Sequence, residues 1–172
     1  EFVTECLTEL RADLAALGAP LVVRTGAAVE VLADLHRRFG IASLASHEET
    51  GTAWTYDRDR AVARWARSPG VEWTQDRDTG VIRALGDRNG WARSWDRFMA
   101  EPTHPRPKAI GGTDIDPGSL PAAPDLGLAS HSCPERQRGG RVAALDALES
   151  FLHRRGERYR KEMSSPLSAE AS

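Results

Sequence analysis

The spacing of apolar residues predicts alternating helices and short strands over the first part of the chain. A helix is predicted over residues 1–17, because its leucines share one face and Gly18 follows as a stop signal. A second helix is predicted from Val29 to Phe39, and a third one up to Ser68, where Ala61, Val62 and Trp65 recur at helical spacing.

Short apolar runs between these helices predict buried strands at residues 19–24, 41–44 and 71–73. Helix and strand thus alternate three times with short connections. This order predicts an α/β fold, in which a Rossmann-like parallel sheet is flanked by helices.

A polar turn follows the strand predicted at 41–44, and it consists of His47, Glu48, Glu49, Thr50 and Gly51. Ligands of open parallel sheets bind at the carboxyl ends of strands, so this turn is a candidate site. A zinc-protease helix is excluded, because its second histidine would stand at Gly51. By its charges alone, the turn is typical of a solvated loop with a helix N-cap. The charges therefore leave the choice between loop and site open.

Aromatic residues between positions 86 and 100 form another helical stripe with Trp91, Trp95, Phe98 and Met99. Such a tryptophan pair is typical of core packing, and only rarely of an electron relay or a stacking platform. Replacing a buried ring with alanine costs roughly 3–5 kcal/mol. We therefore expect Trp91→Ala and Trp95→Ala to lower the melting temperature strongly.

Residues 102–140 are rich in Pro, Gly, Ser and Asp and have no apolar periodicity. A structureless loop of that length is uncommon inside one compact domain, which predicts an interdomain linker on the surface. Helical spacing resumes with Val142, Leu145, Leu148 and Leu152. The basic run at 154–161, taken alone, is more typical of a solvated helix end than of a phosphate site.

Composition limits the classes of function. The 172 residues carry a formal net charge of −2, so no global field attracts nucleic acid or an anionic membrane. Cys6 and Cys133 match no metal or redox spacing, which predicts reduced thiols in a cytoplasmic protein, with a disulfide as the less favoured alternative. No apolar run approaches the roughly eighteen residues of a membrane span. Glycine-rich dinucleotide and triphosphate loops are absent from the sequence.

Several separated blocks resemble the amino-terminal domain of the photolyase/cryptochrome family. These blocks are residues 46–51, 54–56, 58–59, 70–73, 80–83 and 89–92, followed by Trp95 and Met99. Further along, residues 151–152, 156–159 and 163–167 resemble the entry into the flavin domain of that family. The resemblance covers nearly the whole chain apart from the linker.

The resemblance implies three parts, and on this interpretation the chain is a fragment. Residues 1–101 would be an α/β antenna domain without its first strand, 102–140 an interdomain linker, and 141–172 the start of an all-helical FAD-binding domain. The catalytic residues would lie beyond the chain, and no metal site is implied. We expect the fragment alone to be inactive, to bind no flavin and to self-associate through its exposed leucine face.

For the complete protein, the resemblance implies a deoxyribodipyrimidine photolyase. Such a carbon–carbon lyase uses FAD and blue light to repair pyrimidine dimers in damaged DNA. A cryptochrome-type blue-light photoreceptor without repair activity is an alternative, because the discriminating residues would lie beyond Ser172. A stand-alone nucleotide-binding α/β module is a second alternative, weakened by the missing first strand and the trailing helix.

The resemblance also implies two binding sites. Tyr159 would contact the phosphate region of FAD, and its arginine-rich neighbours suit an anion. The polar turn would bound the pocket of an antenna chromophore of unknown type. Folate-using members hold their antenna with an asparagine–glutamate pair that would align near Trp54 and Thr55. That pair is missing here, which argues against a folate.

Overall fold

The computed structural model describes residues 1–129 and 133–165. Its helices and strands, in chain order, are α1 (Phe2–Ala16), α2 (Ala28–Phe39), β1 (Ser43–His47), α3 (Ala53–Arg67), β2 (Glu72–Asp76), α4 (Trp91–Met99), α5 (Arg141–His153) and α6 (Tyr159–Glu162). Short 3-10 turns occur at Pro124–Leu126 and Arg155–Glu157. Helices combined with a parallel pair of strands confirm the predicted α/β class.

The chain divides into two compact units. The strand unit is Thr25–Arg106, and the helical unit is Glu1–Arg24 together with the chain from Pro107 onward. The boundaries predicted for the antenna domain, the linker and the helical domain stay a prediction.

In the strand unit, β1 and β2 pair in parallel, from Ser43 opposite Glu72 to His47 opposite Asp76. Alternate residues of each strand are half-buried, and the Trp73 Nε1 donates to the Ser46 Oγ at 3.1 Å. Both strands lie further along the chain than predicted, and β1 takes in the first residue of the polar turn. The pairing continues beyond β1, since the Glu48 N–H donates to the Asp76 carbonyl at 2.8 Å.

Helix α3 connects the two strands and supplies the buried apolar residues Val62 and Ala66. At its start, the Thr52 N–H donates to the Thr55 Oγ1 at 3.0 Å, which satisfies one of the free amides of the first turn. Helix α2 contacts α3 where the rings of His36 and Trp65 meet in a T-shaped arrangement, with ring centres 6.1 Å apart. These contacts join α3 to α2 within the strand unit.

Residues 19–24, predicted as a strand, do not form one. The Val23 N–H instead donates to the Pro117 carbonyl at 2.8 Å, and the Arg24 guanidinium donates to the Asp116 carbonyl at 2.8 Å. Proline has no N–H to return, so the contact cannot extend into a ladder. The predicted strand is therefore wrong, because residues 19–24 are paired with a proline-containing loop.

Helix α4 carries Trp91 and Trp95 at its surface, where they are 42% and 38% exposed. The predicted burial of both rings in the core is therefore wrong. Trp95 nevertheless covers Gly80, where an added Cβ would lie 2.1 Å from the Trp95 Cδ1. The helical spacing identified the apolar face correctly, but spacing alone does not reveal what covers that face.

In the helical unit, glutamates at the start of α1 hold the end of the predicted linker. Arg136 pairs with Glu1 at 2.8 Å and with Glu5 at 2.6 Å, and the Gly139 N–H donates to Glu5 at 2.7 Å. The bonds from Arg136 and Gly139 lower the pKa of Glu5 to about 2. One turn further along α1, the Glu9 Oε1 accepts the first amides of α5 at 2.7 and 3.2 Å.

Helix α5 presents an apolar face to solvent. Leu145, Leu148 and Leu152 are 49%, 51% and 65% exposed. Such a face is typical of a surface that another element covers. Within residues 1–129 and 133–165, the helices are too short or too polar to cross a membrane.

Candidate functional site

A cleft of about 340 Å³ opens in the strand unit where the chain leaves β1. Its first wall is residues 49–53, the turn that leads into α3. Its second wall is residues 81–84, which belong to the loop between β2 and α4. Tyr56, one turn into α3, completes the lining. The cleft therefore lies at the carboxyl ends of the two parallel strands, where such sheets bind ligands.

Asp59 lies beside the cleft on the buried face of α3, and it is only 7% exposed. A buried carboxylate is stable only when charges and hydrogen bonds replace its water. The Arg58 Nη2 contacts one carboxylate oxygen at 2.8 Å, and the Arg83 Nη2 contacts the other at 2.6 Å. Gln75 adds a longer contact of 3.4 Å to the second oxygen. Both oxygens of Asp59 therefore have partners.

The two arginines keep Asp59 charged. Burial by itself would raise the pKa of this carboxyl, but the hydrogen bonds from Arg58 and Arg83 outweigh burial, so the pKa lies below its usual value. At neutral pH the group is an anion, and it holds the cation of Arg83 at a fixed place.

Arg83 joins the two walls of the cleft. Its Nε and Nη2 donate to the Glu49 carbonyl at 2.9 and 2.5 Å, while Nη2 also contacts Asp59. The planar guanidinium of arginine suits several acceptors at once, whereas lysine offers a single point charge. The turn after β1, helix α3 and the loop after β2 thus meet at one side chain.

Tyr56 supplies an aromatic surface in the cleft. Tyr56 is 42% exposed. The guanidinium carbons of Arg83 and Arg60 lie 5.4 and 5.9 Å from the centre of its ring. An accessible ring beside cations suits a planar ligand with negative or acceptor groups. The Glu49 carboxylate is turned back onto its own loop, since it accepts the Gly51 N–H at 3.0 Å.

The structure brings only part of the polar turn into the cleft. Glu49, Thr50 and Gly51 line it. His47 is the last residue of β1 and is exposed, and Glu48 continues the strand pairing. A role of these five residues at a chromophore stays a prediction.

Sequence reasoning missed Tyr56, Asp59 and Arg83 as residues of this site. One signal was available, because Asp59 shares the helix face of Val62 and Ala66, and a carboxylate on an apolar face requires a cation. Nothing in the spacing identifies Arg83 as that cation, since it lies 24 residues further along the chain.

Tyr159, the predicted FAD contact, belongs to the helical unit and begins α6. It is 47% exposed and stands edge-on to Phe151, with ring centres 5.3 Å apart. The neighbouring Arg158 pairs with Glu162 at 2.7 Å. Pro166 and Leu167, which end the last block of the resemblance, lie outside the described residues.

Comparison with known proteins identifies the class to which this fold and cleft belong. The family model described as DNA photolyase matches residues 1–88, which include the polar turn, Asp59 and Arg83. The chain therefore belongs to the DNA photolyase family, as the resemblance of its sequence blocks predicted.

A solved structure agrees with this assignment. The chain is similar to a bacterial class III photolyase from Agrobacterium tumefaciens, with a TM-score of 0.61 and 19% sequence identity. The match covers 88% of this chain and 34% of the other, so the chain spans about a third of the length of that photolyase. At this identity, the similarity confirms the fold. A comparison with curated proteins finds no match.

Proposed function

We propose that the chain is the amino-terminal part of a deoxyribodipyrimidine photolyase, and that the complete protein repairs pyrimidine dimers in damaged DNA with light and FAD. The observation that carries this proposal is the family match over residues 1–88. The similarity in fold to a class III photolyase over 88% of the chain supports it.

Tyr159 is the proposed contact with the phosphate region of FAD. Its half-exposed ring is oriented by Phe151, and Arg160 and Lys161 follow it in α6. Cationic side chains next to a phenol hydroxyl fit one edge of a phosphate-bearing group. FAD, when bound, would supply the electron that splits the dimer. The part proposed for this chain is to bind and orient the phosphate edge.

The cleft of the strand unit is the proposed pocket of an antenna chromophore. Its volume of about 340 Å³ is at the small end of the range for small-molecule sites, roughly 300–1,000 Å³. Tyr56 offers a stacking surface, and the first wall contains Glu49, Thr50 and Gly51. The missing pair near Trp54 and Thr55 favours a chromophore other than folate.

Repair by the complete protein tests the proposal. The purified protein is mixed with an oligonucleotide that carries one cyclobutane pyrimidine dimer. The sample is then illuminated with blue light or kept in the dark. We expect the dimer to disappear in the light only. Photoreduction of the flavin without loss of the dimer would instead indicate a cryptochrome-type photoreceptor. A protein that neither holds flavin nor repairs DNA would match the nucleotide-binding module.

The isolated chain provides a second test. Because one edge of a phosphate site is a small part of an FAD-binding surface, we expect the purified chain to show no flavin absorption and no repair. Purification of this chain with one flavin per molecule would contradict the proposed division of the binding surface.

A further inference from the structure

The loop between β2 and α4, residues 77–90, has little support from its own backbone before Arg88, whose carbonyl accepts the Trp91 N–H at 3.1 Å. The Val81 N–H donates to the Thr79 Oγ1 at 3.3 Å, and the Asn89 N–H donates to the Asp87 Oδ1 at 3.0 Å. Both acceptors are side chains only two residues away. Segments with few backbone hydrogen bonds open more easily than the elements around them. The second wall of the cleft therefore depends on side-chain anchors.

The loop contacts α4 at its start, where the Arg77 guanidinium carbon lies 5.0 Å from the Phe98 ring centre, and two further anchors lie at or next to residues 81–84. At Gly80, the Trp95 ring lies so close that no Cβ would fit. Three residues later, Arg83 bonds to the Glu49 carbonyl and to Asp59, with a side chain that is 16% exposed. The next residue, Ala84, has a φ of 53°, which a residue with a Cβ adopts only at a cost in energy. An unsupported loop would relax that angle.

We propose that Arg83 is a positioning residue for the cleft: paired with Asp59 and Glu49, it holds residues 81–84 in place as the second wall. Without this pairing, the wall separates from the first turn of α3 while the strands and helices stay folded. The inference rests on the proposed function only in taking the cleft as a ligand site. The geometry of the wall is independent of FAD and of repair.

Helix α3 offers a matched control for this pair. Asp57 and Arg60 form an ion pair at 3.7 Å on the same helix, and their side chains are 72% and 61% exposed. Arg60 also lies beside the Tyr56 ring, as Arg83 does. Arg60→Gln therefore removes the same charge from the same ring without touching the contact to Glu49.

Backbone amide order parameters from NMR relaxation test the proposal on the whole chain. In the wild type we expect values near 0.85 at residues 81–84, as in the strands. In Arg83→Gln, these values should fall below about 0.6 at residues 81–84 and stay unchanged in α3 and β1. Arg60→Gln should leave all of them unchanged.

Other results overturn the proposal. Low order parameters at residues 81–84 in the wild type, an unchanged second wall in Arg83→Gln, or a uniform loss of order across the strand unit would each do so. If Arg83→Gln does not fold, Arg83→Lys keeps the charge near Asp59 but loses the planar fork to Glu49, and it should show the same local loss. Failure of the repair assay would leave these results unaffected, so the two proposals fail separately.

Discussion

The same chemical pairing holds distant segments in both units, but in different surroundings. Arg83 and Asp59 in the strand unit have side chains that are 16% and 9% exposed, whereas Arg136 and Glu5 in the helical unit are 30% and 38% exposed. Removing one partner of a buried pair leaves a charge without water, while water replaces a lost partner at the surface. The comparison teaches that loss of the first pair should lower the stability of its unit as well as the order of residues 81–84, whereas loss of the second pair should affect mainly local order.

The largest effect is expected from Asp59→Ala, which leaves the cation of Arg83 nearly buried without its anion. The free energy of unfolding should fall by about 3–5 kcal/mol, as for other broken buried pairs. Urea unfolding followed by tryptophan fluorescence measures this change. The control Asp57→Ala, on the exposed side of α3, should stay within about 0.5 kcal/mol of the wild type. Equal losses in the two variants would remove the distinction between buried and exposed pairs.

A smaller loss is expected from Trp95→Ala, which removes the anchor at Gly80, next to the residues that Arg83 holds. Because the residue is 38% exposed, the loss should be about 1–2 kcal/mol, below the roughly 3–5 kcal/mol of a fully buried ring. Thermal unfolding is the measurement. Trp91→Ala, at 42% exposure, should cost less than Trp95→Ala, whose ring supplies the nearest atoms to an added Cβ at Gly80. The reverse order would show that Gly80 is not an anchor.

Acid should weaken the surface pair through the protonation of Glu5. Its pKa falls from 4.5 to about 2 on folding, so its stabilising contribution is complete above pH 4.5 and is lost as the pH falls towards 2. Protonation of Asp59 should also destabilise the folded chain, since its pKa is lowered as well. NMR of the Gly139 amide across this pH range should show its bond to Glu5 breaking. Glu5→Gln should abolish that transition, and a persistent transition would assign it to another group.

The smallest effect on stability is expected from Arg136→Gln. Water can solvate the freed carboxylates of Glu1 and Glu5, so the melting temperature should stay close to that of the wild type. The end of the linker should nevertheless become more accessible, which trypsin cleavage after Arg138 would report. A large drop in melting temperature would show that the Arg136–Glu5 pair contributes to stability as the buried Arg83–Asp59 pair does.

Periodicity was sufficient to predict α1, α2, α3 and α4, because an apolar stripe is a local property of the sequence. It failed at residues 19–24, where the partner of the backbone is a loop around Pro117, far along the chain. Periodicity also could not predict how exposed Trp91 and Trp95 are, since burial depends on what packs against a face.

The candidate site shows the same limit. The polar turn could be located from the sequence because it follows a strand, and three of its residues line the cleft. The second wall could not be located from the sequence, because its position depends on the contact between Arg83 and Asp59. A carboxylate on the apolar face of α3 shows that a partner is needed, and only the folded chain shows which arginine it is.

The bond from Glu9 to the start of α5 has a consequence for the order of folding. Helix α5 begins after two glycines, which have no side chain to cap it, and its first amides bond to a carboxylate 132 residues earlier. A ribosome releases α1 long before α5. The early helix, which carries Glu9, has therefore already been made when the first amides of α5 emerge and need an acceptor.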